Sequence, residues 1–433
     1  MKEVKIIGAG LAGSEAAWQL AKRNIKVKLY EQKPYKKHAA FNTDNYAELI
    51  CSNSLRSNDI YNGVGLLKEE MRILDSLIME AAQANKVDSG SSLAVDREGF
   101  SKYITDKINS NPNIEVIHEE VKQLNTDELT LIASGPLTEG ALSESISSLC
   151  GKEYLYFYDA IAPIVKKDSI DFNHAYYKSR YDQGEDYINC PLTKEEFDIF
   201  YDAVINAKTA KVHDMDKMIV FEGCMPFEEM ARRGKKTLLF GPMKPVGLEH
   251  NGLKPYAVVQ LRKDNAIDSL YNIVGFQTHL TYPEQDRVLK LIPALRNAEI
   301  VRHGVMHRNT YINSPNVLNS SYQFINHPNI FIAGQISGVE GYVESAASGL
   351  YAAINIYQYL NGEIKYRLSN QSMMGAMSEY ISDSHITKLT PMNATFGILK
   401  TDFVGDKKAK KEYMVNKAIN LVKEFKEKID GQI

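Results

Sequence analysis

The chain opens on an apolar run, Val4, Ile6 and Ile7, that breaks into Gly8-Ala9-Gly10-Leu11-Ala12-Gly13. It then passes into an alanine-rich amphipathic stretch and returns to a second strand-like run ending on Glu31. That order predicts strand, tight turn, helix, strand. Gly8 is expected to turn the chain off the strand, Gly10 to let backbone approach a pyrophosphate, and Gly13 to let the helix pack closely on the sheet. The phosphate charge would then sit at a helix N-terminus, cradled by the whole turn with Ala9, Leu11 and Ala12 included. Glu31 stands where a carboxylate accepts a ribose hydroxyl. A GxGxxG alone is a weak signal, but between two strands and with an acid about 20 residues on it predicts a dinucleotide site.

Residues 32–62 are polar and irregular. Residues 65–85 predict one helix, with Leu66, Leu67, Met71, Leu74, Leu77 and Ile78 on one face. A stretch at 91–97, a helix at 99–109 and strands at 113–120 and 128–133 follow, the last running into Ser134-Gly135-Pro136. From about 154 to 304 the strand and helix alternation fades and aromatics cluster, among them Tyr154, Tyr156, Phe157, Tyr158, Tyr176, Tyr177, Tyr181 and Tyr187. An apolar strand returns at 329–333 and enters Gly334 and Gln335, then a small-residue helix to about 360. Two-part flavoproteins close their FAD site with such a strand and helix. The expected fold is therefore α/β: a Rossmann-like FAD-binding domain of the glutathione-reductase type, discontinuous over 1–155 plus 305–433, with an inserted α+β domain at 156–304. Within 406–430, Met414, Ala418, Leu421, Val422, Phe425 and Ile429 recur at helical spacing and predict an amphipathic helix on the FAD-domain side.

Composition narrows the class. The 433 residues are 44% hydrophobic and 24% charged, as in an ordinary folded enzyme with core enough for two or three domains. No apolar run is long enough to span a bilayer and the N-terminus already reads as the first strand, so a cytoplasmic protein without membrane contact is expected. A net charge of −3 gives no global basic field, so RNA contact would have to come from local patches. Three candidates are Lys33, Lys36, Lys37 and His38; Arg232, Arg233, Lys235 and Lys236; and Lys407, Lys408, Lys410 and Lys411. Solvated surface charge is the bland reading of each.

Four cysteines, Cys51, Cys150, Cys190 and Cys224, are too few and scattered for a disulfide framework, and no CxxC pair points to a metal. Cys51 lies among Ser, Asn and Arg56, whose guanidinium can lower a thiol pKa. Cys224, between Gly223 and a Met-Pro pair, reads as a turn residue. Cys150 and Cys190 read as structural.

At this point the motifs resemble one family, the folate- and FAD-dependent tRNA (uracil-5-)-methyltransferases, TrmFO. The resemblance runs through GAGLAGSEAAWQLAKR, AELICSNSLRSN, LKEEMR, LAVDR, YFYDAIAPIV, KSRYDQGE, FEGCMPFEEMARRGKKTLLFGPMKPVGLE, YNIVGFQTHL, GVMHRNTYINSP, AGQISGVEGYVESAASG and PMNATFG, nearly the whole chain. It implies that a methylene from methylenetetrahydrofolate is carried through FAD, with NAD(P)H as reductant, to carbon 5 of a uridine in RNA. The family's two functional cysteines match Cys51 and Cys224. Cys224 would add to carbon 6 of uracil; Cys51 would serve the flavin side and removal of the carbon 5 proton. A thiolate is wanted because its addition at carbon 6 makes an enolate of a poor nucleophile. Arg232, Arg233 and Lys235 are candidate sources of its activation. Tyr342 and His279 are candidate folate or flavin contacts, with a packed aromatic and a satisfied histidine as the alternative readings.

The family usually carries two histidines where this chain has Phe41 and Asn42. A branch of the family, RlmFO, acts on 23S ribosomal RNA, and that departure fits it; tRNA is the expected substrate because it is commoner in the family. A monomer is expected. A plain FAD-dependent NAD(P)H oxidoreductase is the other enzyme class, opposed by the lack of a second GxGxxG and of a CxxxxC pair. The related FAD proteins that build carboxymethylaminomethyl groups on tRNA are longer.

Overall fold

The computed structural model describes residues 2–38, 40–151, 155–180, 184–210 and 225–431, without the side chains of 156–159 and 307. Five parallel strands form the first sheet, in the order Ile330–Ile332, Thr130–Ile132, Glu3–Ile7, Lys26–Glu31 and Ile114–His118. Its apolar residues are covered by the helices Leu11–Lys22 and Tyr342–Leu360, so the two strand-to-helix units foreseen at either end of the chain meet in one sheet. The helices approach closely because both are rich in small residues. A Cβ on Gly349 would lie 2.2 Å from the Ala12 carbonyl oxygen, a distance only glycine relieves.

A second sheet has six antiparallel strands: Tyr176–Tyr177, Tyr187–Leu192, Ala257–Lys263, Leu270–Ile273, Ile164–Lys166 and Ile300–Arg302. It has its own core, where Phe197 and Phe200 of the helix Lys194–Ile205 pack against Phe227, Phe276 and strand residues such as Val259 and Leu261. The antiparallel pair Leu155–Ala160 and Met306–Tyr311 lies between the two sheets in sequence. The helix Lys407–Asp430 starts at Asp406, whose carboxylate accepts the Lys408 and Ala409 amides, and buries Met414, Val415, Ala418, Val422, Phe425 and Ile429 in the first core. Val415 takes the inward place expected of Leu421, which stays half-exposed.

The single helix expected over 65–85 is two, Gly63–Ile73 and Leu77–Ala84. Asp75 takes a left-handed conformation (φ 57°) and the Ser76 hydroxyl caps the second helix at Met79 N. The break is fixed from outside. Buried Glu15 accepts from Ser76 Oγ at 2.7 Å and Ile78 N at 2.9 Å, while Gln19 Nε2 donates to the Leu74 and Asp75 carbonyls, each at 3.2 Å. Hydrophobic periodicity carries across such a break unchanged, so the pattern alone does not reveal it.

The contact at Gly349 generates a prediction. Gly349→Ala should cost about 2 kcal/mol of stability, as overpacking of a tight core does, and should weaken FAD binding because both helices begin at the cavity described next. Urea unfolding followed by circular dichroism, with a parallel FAD titration, checks both effects.

Candidate active site

The C-terminal ends of the parallel strands open onto a cavity of about 480 Å³, the place where open α/β sheets take their ligands. Residues 7–12, Glu31, Ser134, Gly135, Gly334, Gln335 and Tyr342 line it. Gly8 has φ +99°, and a Cβ there would meet the Ala133 carbonyl oxygen at 2.5 Å. Gly10 faces open space, with nothing within 4 Å of an added Cβ. Gly13 does not line the cavity but packs, its would-be Cβ 1.8 Å from the Gly8 carbonyl oxygen. Each helix that begins here does so at a glycine, Gly10 or Gly341, with no side-chain cap, leaving its first amides to a ligand.

Glu31 does more than await a ribose. Its Oε2 accepts the Ala9 amide at 3.1 Å and its Oε1 the Lys33 amide at 3.0 Å, so the acid also pins the glycine turn. The remaining lone pairs of a carboxylate can accept sugar hydroxyls. Uncapped helix starts, a glycine cradle and this acid fit an FAD.

Cys51 lies on the same cavity, half-buried, in a segment with little regular structure. Its amide donates to the Tyr342 hydroxyl at 2.7 Å and the Ser52 amide does so at 3.3 Å. Arg97 donates to the Leu49 and Ile50 carbonyls and grips Asp264 at 2.9 and 3.3 Å. Arg262 reaches in from the second sheet, donating to Ser52 Oγ at 2.6 Å and Asn53 Oδ1 at 3.2 Å. Burial works against the Arg97 charge, but Asp264 more than offsets it and its pKa is raised, with Tyr342 and Cys51 contributing. Arg302 and Arg262 are held down by burial, each with Arg97 adding to the effect. Cationic surroundings of this kind favour a thiolate.

Arg56, the expected source of that field, is paired with the buried Glu344, so the field on Cys51 is shared with arginines that are distant in sequence. Lys68, fully buried, donates to the Leu55 and Arg56 carbonyls at 2.8 and 3.1 Å, beneath a backbone in which Arg56 has φ 62°. Burial pushes its pKa down to about 7, with Arg72 and Arg56 adding and Glu344 opposing.

Cys224 lies outside the described residues. The chain resumes at Met225, and the Phe227 amide donates at 2.6 Å to the carbonyl of Gln277, which lines the cavity. Arg232 pairs with Glu229 and Lys235 with Asp198 at 2.6 Å, so these two cations serve local surface pairs. His279 is buried beside Glu228, which accepts its backbone N–H at 2.8 Å, and it does not line the cavity. Burial pushes the Cys150 thiol up to about 12 and raises Cys190 further, as structural cysteines require. Phe41 lies under the Lys33 ammonium at 4.8 Å, and Asn42 donates its amide to Glu48 at 2.8 Å. Lys36 and Lys37 of the first basic patch pair with Glu120 and Asp44. Among the described residues no helix is long and apolar enough to cross a membrane.

Arg97, Arg262, Arg302 and Lys68 went unmarked in the sequence. The motifs LAVDR and LKEEMR contain two of them, but nothing in either says that a side chain points at Cys51.

A parallel sheet with a glycine turn, an acid at the second strand end and a cavity across all its strand ends defines a Rossmann-like FAD-binding protein. A family model described as Glucose inhibited division protein A matches residues 3–364. Proteins of Bacillus licheniformis (58% identical over 400 residues, 92% of each chain), Bacillus subtilis (56% over 424, 97% of each) and Staphylococcus aureus (56% over 429, 98% of each) are named methylenetetrahydrofolate–tRNA-(uracil-5-)-methyltransferase TrmFO. In fold the chain is similar to GidA of Aquifex aeolicus, with a TM-score of 0.73 at 16% identity over 99% of this chain and 76% of that one. The chain belongs to the TrmFO proteins of the GidA family.

Lys68 gives a pH test. Its folded pKa of about 7 lies below its ordinary 10.5, so between those values the unfolded chain holds the extra proton and stability should rise with pH. Lys68→Met should remove that rise, about 1 kcal/mol per pH unit at its steepest, from urea melts compared across pH 7 to 10.

Proposed function

We propose that the protein methylates carbon 5 of a tRNA uridine, taking the one-carbon unit from methylenetetrahydrofolate and the hydride from NAD(P)H. The observation that carries this reading is Cys51, set on the cavity of the glycine turn, its amide held by Tyr342 and its segment clamped by Arg97 and Arg262. A simple dinucleotide site needs no thiol there.

The overall change balances. Carbon 5 loses its proton and gains the methylene carbon, which takes one hydride to become methyl; the carrier leaves as tetrahydrofolate, its two bridging nitrogens taking up the equivalent of the carbon 5 proton and one proton from solvent, and NAD(P)H leaves as NAD(P)+. The chemistry that FAD supplies when bound is two-electron transfer between NAD(P)H and the one-carbon unit. Gly8, Ala9, Gly10, Leu11, Ala12 and Glu31, with Gly334, Gln335 and Tyr342, would hold it, while Gly13 seats the helix. Cys224 adds to carbon 6 of the uracil; the hydrogen bond from the Phe227 amide supports this, since three residues later the chain is tied to the carbonyl of Gln277, a residue on the cavity. Cys51 takes the carbon 5 proton as a thiolate, in the field of Arg97, Arg262 and Arg302. In this reading residues 1–155 and 305–433 bind FAD and 156–304 form an insertion that supplies the opposite wall.

The test is methyl transfer by the FAD-loaded protein, given methylenetetrahydrofolate and NADPH, to unmodified tRNA and to a 23S ribosomal RNA fragment in parallel. 5-Methyluridine in the tRNA is expected; label in the ribosomal fragment alone would move the protein to the other substrate. Cys51→Ser and Cys224→Ser should each reduce methyl transfer to background while the 450 nm absorbance of bound FAD stays. Methylation surviving either change would remove that residue from the mechanism.

A further inference from the structure

Arg56 lines the cavity as a cation held from behind. Its side chain is 39% exposed, while that of its partner Glu344 is 0% exposed and does not line the cavity. Only Nη2 is committed to that carboxylate; among the described residues Nε and Nη1 make no hydrogen bond. The cavity therefore meets the positive end of the pair. Arg56 takes the left-handed region, at φ 62°, and buried Lys68 donates to its carbonyl at 3.1 Å, so the fold accepts a backbone cost to keep the guanidinium where it is.

The order of the first sheet locates this end of the cavity relative to FAD. The glycine turn follows the central strand Glu3–Ile7. Glu31 ends the next strand on one side, and Ile330–Ile332, which leads towards the helix Tyr342–Leu360, is two strands away on the other. A dinucleotide with its pyrophosphate at the turn and its adenosine ribose at Glu31 has its flavin half on the side of that helix. Gly349 packs on Ala12 beside the turn, and Gly341, eight residues earlier, is about 12 Å along the helix from there at 1.5 Å per residue. That distance is comparable to the reach of the ribityl chain and the ring it carries. Arg56 Nη2 lies 3.0 Å from where a Cβ on Gly341 would stand, so the guanidinium is at the ring end of the cavity.

We propose that Arg56 stabilises the negative charge that the flavin ring takes on when it is reduced, and so sets the potential at which the bound cofactor accepts hydride. The nicotinamide C–H bond breaks, an N–H bond forms at ring N5, the electron pair passes to the pyrimidine edge of the ring, and NAD(P)+ leaves. The ring goes from neutral to anionic with no proton required, and a fixed cation near it favours the anion. The buried carboxylate of Glu344 opposes this from further off, so the two residues pull the potential in opposite directions. The inference rests on the proposed placing of FAD and is independent of methyl transfer and of the RNA.

The test is the two-electron midpoint potential of the FAD-loaded protein, measured by dye equilibration, together with its affinity for sulfite, which adds at N5 and leaves the same negative charge on the ring. Arg56→Met is expected to favour the oxidised cofactor about tenfold, a potential about 30 mV more negative, and to weaken sulfite by a similar factor. Glu344→Gln should move both the other way, and Arg56→Lys, which keeps the charge, should stay closer to wild type than Arg56→Met. Opposite shifts are what a charge effect requires, whereas a structural role loosens oxidised and reduced FAD alike and leaves the potential where it was. Potential and sulfite affinity unchanged in Arg56→Met, or shifted the same way by Arg56→Met and Glu344→Gln, would overturn the proposal. If Arg56→Met does not fold because Glu344 is left unpaired, Arg56→Met in the Glu344→Gln background, compared with Glu344→Gln alone, carries the same reading. The placing of FAD has its own check in Gly10→Val, where an added Cβ meets nothing in the chain but would meet the pyrophosphate. FAD retained by that variant would sink the placing, while the potentials decide the role of Arg56 either way.

Discussion

The structure turns on how the short, irregular segment around Cys51 is held, since it has neither a ladder nor a helix of its own to fix it. Arg97 takes the two carbonyls before the thiol, Tyr342 takes the two amides at and after it, and Arg262 takes the Ser52 and Asn53 side chains. These three anchors come from a helix beside the first sheet, from the helix that closes it, and from the second sheet. A guanidinium or phenol so buried is stable only with its partners in place, and removing one partner of such a set costs several kcal/mol because the other is left uncompensated. The segment is thus rigid only when both sheets are correctly placed, which ties formation of the site to completion of the fold.

That dependence explains the order of the chain. The first sheet takes its strands from both ends of the sequence, with Ile330–Ile332 added beside Thr130–Ile132, and the second sheet is made from what lies between. A cavity lined from both sheets cannot exist before the last strand of the first sheet is in place. The same geometry brings the glycine turn and the thiol onto one space, as a reaction that passes a carbon between two bound partners requires.

Legibility in the sequence followed the range of the interactions. The turn at residues 8–12, Glu31 and the strand entering Gly334 are local patterns, and the structure places them around one cavity, with Gly13 packed behind it. Cys51 could be separated from Cys150 and Cys190 by its polar neighbours; of the three, it alone lines the cavity. What failed was inference by proximity along the chain: Arg56 is next to the thiol in sequence but is committed to Glu344, whereas Arg97 and Arg262 are 46 and 211 positions away. For His279 the structural alternative holds: it is buried against Glu228, away from the cavity. The break at Asp75 depends on Glu15 and Gln19 from another helix, which no periodicity encodes.

The residues that escaped the sequence share a physical character. Lys68 with its lowered pKa, Arg262 held below its ordinary range, and Asn272 Nδ2 and Asn309 Oδ1, which have no hydrogen-bond partner among the described residues, each cost the fold stability where an apolar group of similar volume would not. A core selected for stability alone would not retain such groups, and three of them, Arg262, Asn272 and Asn309, belong to residues that line one cavity. Arg262 and Asn272 come from the second sheet, while the glycine turn is built from backbone and small residues, which divides the labour of the site. The glycine turn binds by shape and by helix N-termini that any pyrophosphate satisfies, and the second sheet, through Arg262 on Ser52 and Asn53, holds the segment that carries the thiol.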